Sequence, residues 1–200
     1  MRKNFTLFAL MLIMGIAASA QDVFKKGDIV ANLQIGYGSY KSYSILVPPT
    51  TLSVDFAAIE DLIKGENGSI GFGGSLSYSG YRAFSSTETL HYKERANSWN
   101  MGFRATFHYQ FVPNLDTYAG LTTGLTRTKE ISKVKDFDGD VVLSSTYRTR
   151  SSFYTSFIAG ARYYFNDFFG VSAEAGFATP FVTDIDMSPA VLRAGISFKF

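Results

Sequence analysis

Hydrophobic and polar positions alternate with a period of two along most of this chain. Residues 192–200 show it well, with Leu192, Ala194, Ile196, Phe198 and Phe200 opposite Arg193, Gly195, Ser197 and Lys199. This alternation is typical of a strand with one apolar and one polar face. The same pattern predicts seven further strands, at 28–38, 51–59, 69–80, 97–111, 115–126, 153–165 and 169–177.

The connections between these strands alternate in length. Two are tight, at 112–114 and 166–167, and tight turns join antiparallel neighbours. The long polar connections are 39–50, 81–96, 127–149 and 179–189. Only 59–68 breaks the rule, because it is long enough to hold one helical turn. The sequence therefore predicts an all-β, eight-stranded, antiparallel up-and-down barrel with its long loops at one end.

Composition and charge exclude several classes of protein. The chain has 200 residues, 46% of them hydrophobic, and contains no cysteine, so disulfide frameworks and thiolate chemistry are impossible. It has 19 Lys and Arg against 17 Asp and Glu. Without Arg2 and Lys3 the two classes balance, so the basic footprint of a nucleic-acid-binding protein is absent.

Residues 1–20 have the features of a cleaved signal peptide. Arg2 and Lys3 precede an apolar run, and Ala18-Ser19-Ala20 offers a cleavage site for signal peptidase. A transmembrane anchor is the alternative, but the run is shorter than the roughly 20 residues that a spanning helix needs. We expect an exported mature domain at 21–200.

Alternation alone does not say which face of the barrel points inward. A soluble barrel would bury the apolar face, whereas an outer-membrane barrel turns it toward lipid and fills its lumen with polar side chains. Glycines concentrate on the polar face, which suits a narrow lumen. Aromatic residues gather near the strand ends, as in membrane girdles. At one level these are Tyr109, Phe111, Tyr163, Phe165, Phe169, Phe198 and Phe200, and at the other Tyr37, Tyr78, Trp99, Phe153 and Phe177. These features favour the outer-membrane orientation.

The whole mature chain resembles the small outer-membrane β-barrels of the OmpA/OmpX type, often labelled porin-like. The resemblance rests on the signal sequence, the eight strands, the hairpin at 163–171 and the terminal Gly195–Phe200 segment. It implies that Phe200 is part of the signal read by the barrel-assembly machinery. It also implies a monomer in contact with outer-membrane lipids, including lipopolysaccharide. Because the chain ends with the barrel, no cell-wall tether is expected.

The predicted polar face carries six ionisable side chains. These candidates are Asp55, Arg104, His108, Arg162, Glu174 and Arg193. Charges removed from water need partners, so we expect a network of ion pairs that closes the lumen. Glu174 and Arg193 lie on sequential strands and are expected to pair directly. A narrow ion path is the alternative.

Candidates for other chemistry are few. Asp136, Asp138 and Asp140 alternate in the loop 127–149, but Val141 and Tyr147 occupy the positions where a calcium loop needs Gly and Glu, so Asp138-Gly139 is interpreted as a hairpin turn. His91 and His108 are the only histidines, and no hydrolase elbow or zinc-protease motif occurs. We expect no enzyme, metal or cofactor.

The sequence leaves three functions open. The first is an outer-membrane protein of envelope structure or surface interaction, and the second is a small channel. The third is a secreted, lipocalin-like barrel that binds an apolar ligand. The charges of loop 127–149, among them Lys129 and Lys133, suit contact with lipopolysaccharide headgroups or host proteins, and equally suit solvation.

Overall fold

Eight strands form one closed antiparallel ring in the computed structural model, which describes residues 23–38, 43–60, 62, 68–87, 90–136, 142–180 and 190–200. The strands are β1 (Ile29–Tyr37), β2 (Ser44–Ile59), β3 (Gly68–Ser86), β4 (Leu90–Val112), β5 (Leu115–Asp136), β6 (Val142–Tyr164), β7 (Phe169–Pro180) and β8 (Ala190–Lys199). Each pairs with its neighbour in sequence, and β1 pairs with β8, for example Val30 with Lys199. The predicted up-and-down barrel is confirmed. Within the described ranges, no helix is long and apolar enough to cross a membrane.

The barrel is apolar outside and polar inside. Met101, Phe157 and Leu192 are 60–67% exposed, whereas Arg104 and Arg162 are at most 1% exposed. Inward positions otherwise hold mainly Ser, Thr, Asn and Gln, with a small apolar cluster of Phe24, Val30 and Ala57 at the base. The outward orientation of the apolar face is therefore confirmed. The soluble-barrel alternative, which requires that face inside, is wrong.

Three of the predicted long loops are largely strand. Residues 44–50 belong to β2, 81–86 and 90–96 to β3 and β4, and 127–136 and 142–149 to β5 and β6. The apolar alternation stops in these segments, but backbone pairing continues without a break in register from Trp99↔Arg127 to Leu90↔Asp136. Ladder hydrogen bonds do not require apolar side chains, and Thr, Tyr and Val favour extended backbone. The loop prediction was wrong for this reason.

The three longest strands are much longer than a bilayer requires. A spanning β-strand needs about 9–11 residues, and β1 has 9. By contrast β4, β5 and β6 have 23, 22 and 23 residues. The far half of the β3–β6 sheet therefore projects beyond the apolar band, at the end opposite the tight turns. We call this part the projecting sheet, residues 80–86, 90–98, 127–136 and 142–151.

Turn chemistry closes the opposite end of the barrel. Between β4 and β5, Val112 pairs with Leu115, and Asn114 has a φ of 63°, a conformation that Asn tolerates well. The predicted turn at 112–114 is confirmed. The turn predicted at 166–167 is longer, since β6 ends at Tyr164 and β7 begins at Phe169. The Asn166 side chain accepts hydrogen bonds from the amides of Phe168 and Phe169 at 3.0 and 2.7 Å, which stabilises the wider turn.

Inward glycines make room for large inward side chains. A Cβ at Gly160 would lie 2.6 Å from the Tyr118 ring and 2.7 Å from the carbonyl oxygen of Ala173. Both neighbours are held in place, the ring by burial and the carbonyl by the strand ladder. Gly160 is therefore required by packing, as a narrow lumen predicts.

We predict that Gly160→Ala destabilises the barrel by about 1–3 kcal/mol, because the added methyl group overpacks the lumen against Tyr118. The free energy of unfolding in urea measures this loss, and the electrophoretic mobility of the folded form reports how much of the protein is folded at each urea concentration.

Gly74→Ala is the matched control. Gly74 points outward, and the nearest atom to an added Cβ, the carbonyl oxygen of Gly102, lies at 3.7 Å. Equal losses in the two variants would contradict the packing argument.

Candidate functional site

Glu174 on β7 is the acceptor for three inward side chains. Arg193 on β8 donates to Oε1 at 2.6 Å, and Arg104 on β4 donates to Oε2 at 2.8 Å. The Tyr118 hydroxyl donates to Oε2 at 2.9 Å. Glu174 and Arg193 are register partners, so the adjacent ladder positions bring this pair together. One carboxylate thus links β4, β5, β7 and β8 across the lumen.

Asp55 and Asp116 extend the network toward the other strands. Asp55 on β2 accepts from Nε of Arg104 at 3.0 Å and from Arg162 on β6. Arg162 also donates to Asp116 on β5 at 3.0 Å, and its guanidinium lies 4.4 Å from the centre of the Tyr118 ring. We call Asp55, Arg104, Asp116, Arg162, Glu174 and Arg193 the charge network.

Formal charges in this network cancel. Its three arginines face three carboxylates, all six connected by ion pairs. Asp55 and Arg162 are 0% exposed. Removing either partner of such a pair leaves an uncompensated buried charge, which is far more costly than removing the pair. The arrangement fills the lumen with cross-linked side chains from six strands.

His108 forms the lower edge of the network, toward the tight-turn end. Its Nδ1 donates to Asp116 at 2.9 Å, because a carboxylate can only accept. Its Nε2 lies 2.8 Å from the Thr106 hydroxyl. This hydroxyl–imidazole–carboxylate chain has the connectivity of a hydrolase triad. Thr106 is only 2% exposed, however, and the neighbouring β3 and β5 backbones are paired along this stretch. We therefore assign these three hydrogen-bonded side chains to lumen packing.

A short segment before β1 covers this edge. The Phe24 ring stacks on the His108 ring with centroids 4.0 Å apart, and Phe24 is 7% exposed. The Val23 amide donates to the Gln110 side chain at 3.0 Å, and the Lys26 amide donates to Glu60 at 2.9 Å. A cavity of only about 40 Å³ remains between this segment and the lumen wall. The Phe24 side chain therefore covers the lumen at the tight-turn end of the barrel.

On the far side of the charge network the lumen is neutral and lined with hydroxyl groups. Thr51 and Ser77 lie 2.7 Å apart, and Ser98 and Thr128 lie 3.0 Å apart. A cavity of about 50 Å³ lies here next to Arg193. Its polar lining and its volume suit a few water molecules.

The predicted girdle residues lie on the outer face at two levels. Near the tight turns, Phe169 contacts Phe165 and Phe198 with ring centroids 5.9 and 5.7 Å apart. Other predicted members also pack in sequence pairs at this level, Tyr109 with Phe111 and Tyr163 with Phe165. Trp99 marks the other level, 4.7 Å from Tyr78. Their role at a membrane interface stays a prediction.

Phe200 lies at the seam that closes the ring. Its amide donates to Ile29 at 2.9 Å and its carbonyl accepts from Ile29 at 3.0 Å, while its ring packs 5.3 Å from Phe168. The side chain is 68% exposed. It is therefore accessible on the barrel exterior, and its recognition by the assembly machinery stays a prediction.

All six candidates from the polar face are brought into one connected cluster, but the sequence reasoning missed three members. Asp116 and Tyr118 have the inward parity of β5, which they share with Thr122, Thr126 and Thr128; that parity is the signal that would have found them. Phe24 precedes β1, and no pattern in the sequence marks it.

Other candidates lie apart from this cluster. His91 is on the projecting sheet, where its Nδ1 lies 2.8 Å from the Ser86 hydroxyl. Asp138 and Asp140, with most of the predicted turn, lie outside the described residues, as do residues 1–20. Among the side chains that are described, no group of three His, Asp or Glu has the arrangement of a metal site.

We predict that Glu174→Gln destabilises the barrel by about 3–5 kcal/mol, because Arg104 and Arg193 then share a buried site with too little negative charge. The urea unfolding free energy measures the loss. The double variant Glu174→Gln/Arg193→Gln restores the charge balance and should recover part of it. Additive losses in the double variant would contradict a compensated network.

No protein-family model matches the chain, and no curated protein is significantly similar to it. Among solved structures, a major outer membrane protein from Thermus thermophilus is similar with a TM-score of 0.54 at 10% identity, covering 86% of this chain and 99% of that one. Ail, the attachment invasion locus protein of Yersinia pestis, in complex with the heparin analogue sucrose octasulfate, is similar with a TM-score of 0.53 at 13% identity, covering 88% and 100%.

At these identities the likeness concerns the fold. Both similar structures match over nearly their full length. The closed ring, the strand order and the outward apolar face agree with the same architecture. The chain therefore has the fold of the small eight-stranded outer-membrane β-barrels, the OmpA/OmpX type.

Proposed function

We propose that this chain is an integral outer-membrane protein with a structural or surface-interaction role. The observation that carries the proposal is the polarity of the barrel, with large apolar side chains such as Phe157 exposed outside and a compensated charge network buried inside. Water would make such an exterior aggregate, whereas hydrocarbon stabilises it. The signal peptide predicted at 1–20 accounts for export, with cleavage after Ala20.

A channel is the weaker alternative. The charge network crosses the lumen, Phe24 covers its base, and the cavities on either side of the network among the described residues include two of about 40 and 50 Å³. An ion would have to displace paired charges to pass. Catalysis is also disfavoured, since Thr106 and His108 are buried beneath Phe24. The proposed activity therefore belongs to the outer surface.

The proposed partners follow from the same placement. Outer-membrane lipids, including lipopolysaccharide, would contact the exposed apolar band, and the barrel-assembly machinery would read the exposed Phe200 during insertion. The ring closes through the pairing of β1 with β8, so the part of the sheet at the level of the apolar band has no unpaired edge and a monomer is sufficient.

We predict that Phe157→Arg and Ala173→Arg each cost about 2–4 kcal/mol and prevent stable insertion, because both positions lie in the apolar band. Fractionation of cells, followed by electrophoresis of boiled and unboiled membranes, measures the outcome. Wild-type protein should be in the outer-membrane fraction and change mobility on boiling.

Thr149→Arg is the control on the same face of β6. Thr149 is exposed on the projecting sheet, eight residues from Phe157. This variant should fractionate like the wild type. Tolerance of arginine at both Phe157 and Ala173 would rule out the lipid-facing assignment, and a wild-type product without a heat-dependent mobility change would rule out the membrane proposal.

We predict that the wild-type protein in planar bilayers shows no steady conductance above that of the lipid. Phe24→Ala should remain silent as well, since it opens the base but leaves the charge network intact. Discrete conductance steps in the wild type would establish the channel alternative instead.

A further inference from the structure

The outer face of the projecting sheet carries basic side chains and no acidic ones among the residues described. Strand alternation puts odd-numbered residues of β4 and β5 and even-numbered residues of β3 on this face. Six of its seven basic side chains form what we call the cationic face, Arg82, Lys93, Arg95, Arg127, Lys129 and Lys133, and the seventh, Lys135, lies next to the end of β5. All are exposed or half-exposed. The face is therefore a continuous positive surface on three adjacent strands.

The acidic residues of the same strands point the other way. Glu94 and Glu130 have the opposite parity, and Glu94 accepts hydrogen bonds from Tyr43 and, at 3.3 Å, from Ser132. Glu130 is the register partner of Arg148, which has the inward parity of β6. Charges on the inner face are thus of mixed sign, while those on the outer face have one sign. Contact with water alone does not require that acidic side chains be confined to the inner face.

Like charges lie directly opposite each other on the cationic face. Arg82 is the register partner of Arg95, and Lys93 is the partner of Lys133. Directly opposed like charges destabilise an antiparallel pair. Contacts of Arg82 and Lys93 with the Phe84 ring, at 5.6 and 5.4 Å, hold these two cations against the sheet. An anion bound between the pairs would remove the repulsion.

The height of the cationic face along the barrel axis indicates which kind of anion it meets. Arg127 is the register partner of Trp99, whose ring packs on Tyr78 at the upper edge of the apolar band. Each further pair of residues rises about 5 Å along the barrel axis, for strands tilted by about 40°. The cations therefore begin at the aromatic level and continue for about 15 Å above it. In an outer-membrane barrel the headgroup phosphates of the surrounding lipid begin at this aromatic level.

We propose that the cationic face binds the phosphate groups of phosphorylated outer-leaflet lipids of the lipid A class, with the acyl chains against the apolar band below. The inference rests on the proposed membrane function and adds the site and its ligand chemistry. Arginine suits this role because its planar fork binds phosphate through two hydrogen bonds. The lysines of the cationic face add positive charge farther above the apolar band.

The test compares two variants that each remove two arginines from the folded full-length protein. Arg95→Gln/Arg127→Gln alters the cationic face, and Arg148→Gln/Arg150→Gln alters the opposite face of the projecting sheet. Binding of purified bisphosphorylated lipid A, and of the same lipid after enzymatic dephosphorylation, is measured by native mass spectrometry in detergent. Each cation near anionic lipid contributes a factor of about five, so the first variant should bind lipid A about 25-fold more weakly.

The wild type and the Arg148→Gln/Arg150→Gln variant should bind alike and should prefer the phosphorylated lipid. Equal affinity of the Arg95→Gln/Arg127→Gln variant, equal loss in both variants, or equal binding of dephosphorylated lipid would each overturn the site. Retention of a sulfated polysaccharide without retention of lipid A would assign the face to a different ligand and also overturn it.

The same samples separate this proposal from the membrane proposal. Boiled and unboiled aliquots report whether each protein is a closed barrel. A retained mobility change with unchanged lipid A affinity contradicts only the lipid site. Loss of the mobility change in the wild type contradicts the membrane function on which the site rests.

Discussion

A buried charge must find its counter-charge inside the ring, and this constraint organises the barrel. Eight strands enclose a space that side chains fill, so Arg104 and Arg162 are removed from bulk water and Arg193 is half-buried. Each is instead held by carboxylates from other strands. The network therefore fixes strand positions across the lumen that the hydrogen-bonded ladder fixes only between neighbours. Glycine at position 160 and Phe24 at the base are packed around it.

The sequence alone predicts which side chains of a strand face inward and which face outward, because side chains alternate along a strand. The inward-facing candidates follow from this alternation. The pairing of Glu174 with Arg193 follows because their strands are also neighbours in sequence. The inward position of Asp116 was not predicted because Asp116 directly follows the turn at Pro113 and Asn114. The alternation of apolar and polar residues has only begun there, so it does not assign Asp116 to a face. The connection of Arg104 to Asp55 was not predictable either, because it crosses the lumen between β4 and β2 and depends on barrel diameter and strand stagger.

The projecting sheet shows why polar strands are mistaken for loops. Along 127–136 both faces are polar, so hydrophobicity carries no period, yet the signs of the charges still alternate. Lys129 and Lys133 share one face, and Glu130 lies on the other. Reading the period from charge sign would have extended β5 to nearly its observed end. The information is present in the sequence but lies in electrostatics, which hydropathy patterns ignore.

Charges inside and outside this barrel differ in what balances them. Inside, each arginine is matched by protein carboxylates, because a low-dielectric lumen tolerates no excess charge. On the projecting sheet, by contrast, register partners such as Lys93 and Lys133 carry charges of the same sign. Screening makes this arrangement tolerable in solution and makes it favourable beside a layer of phosphates. The same kind of side chain therefore has two roles in this barrel, since arginine stabilises the lumen through carboxylates and gives the outer face of the projecting sheet its positive charge.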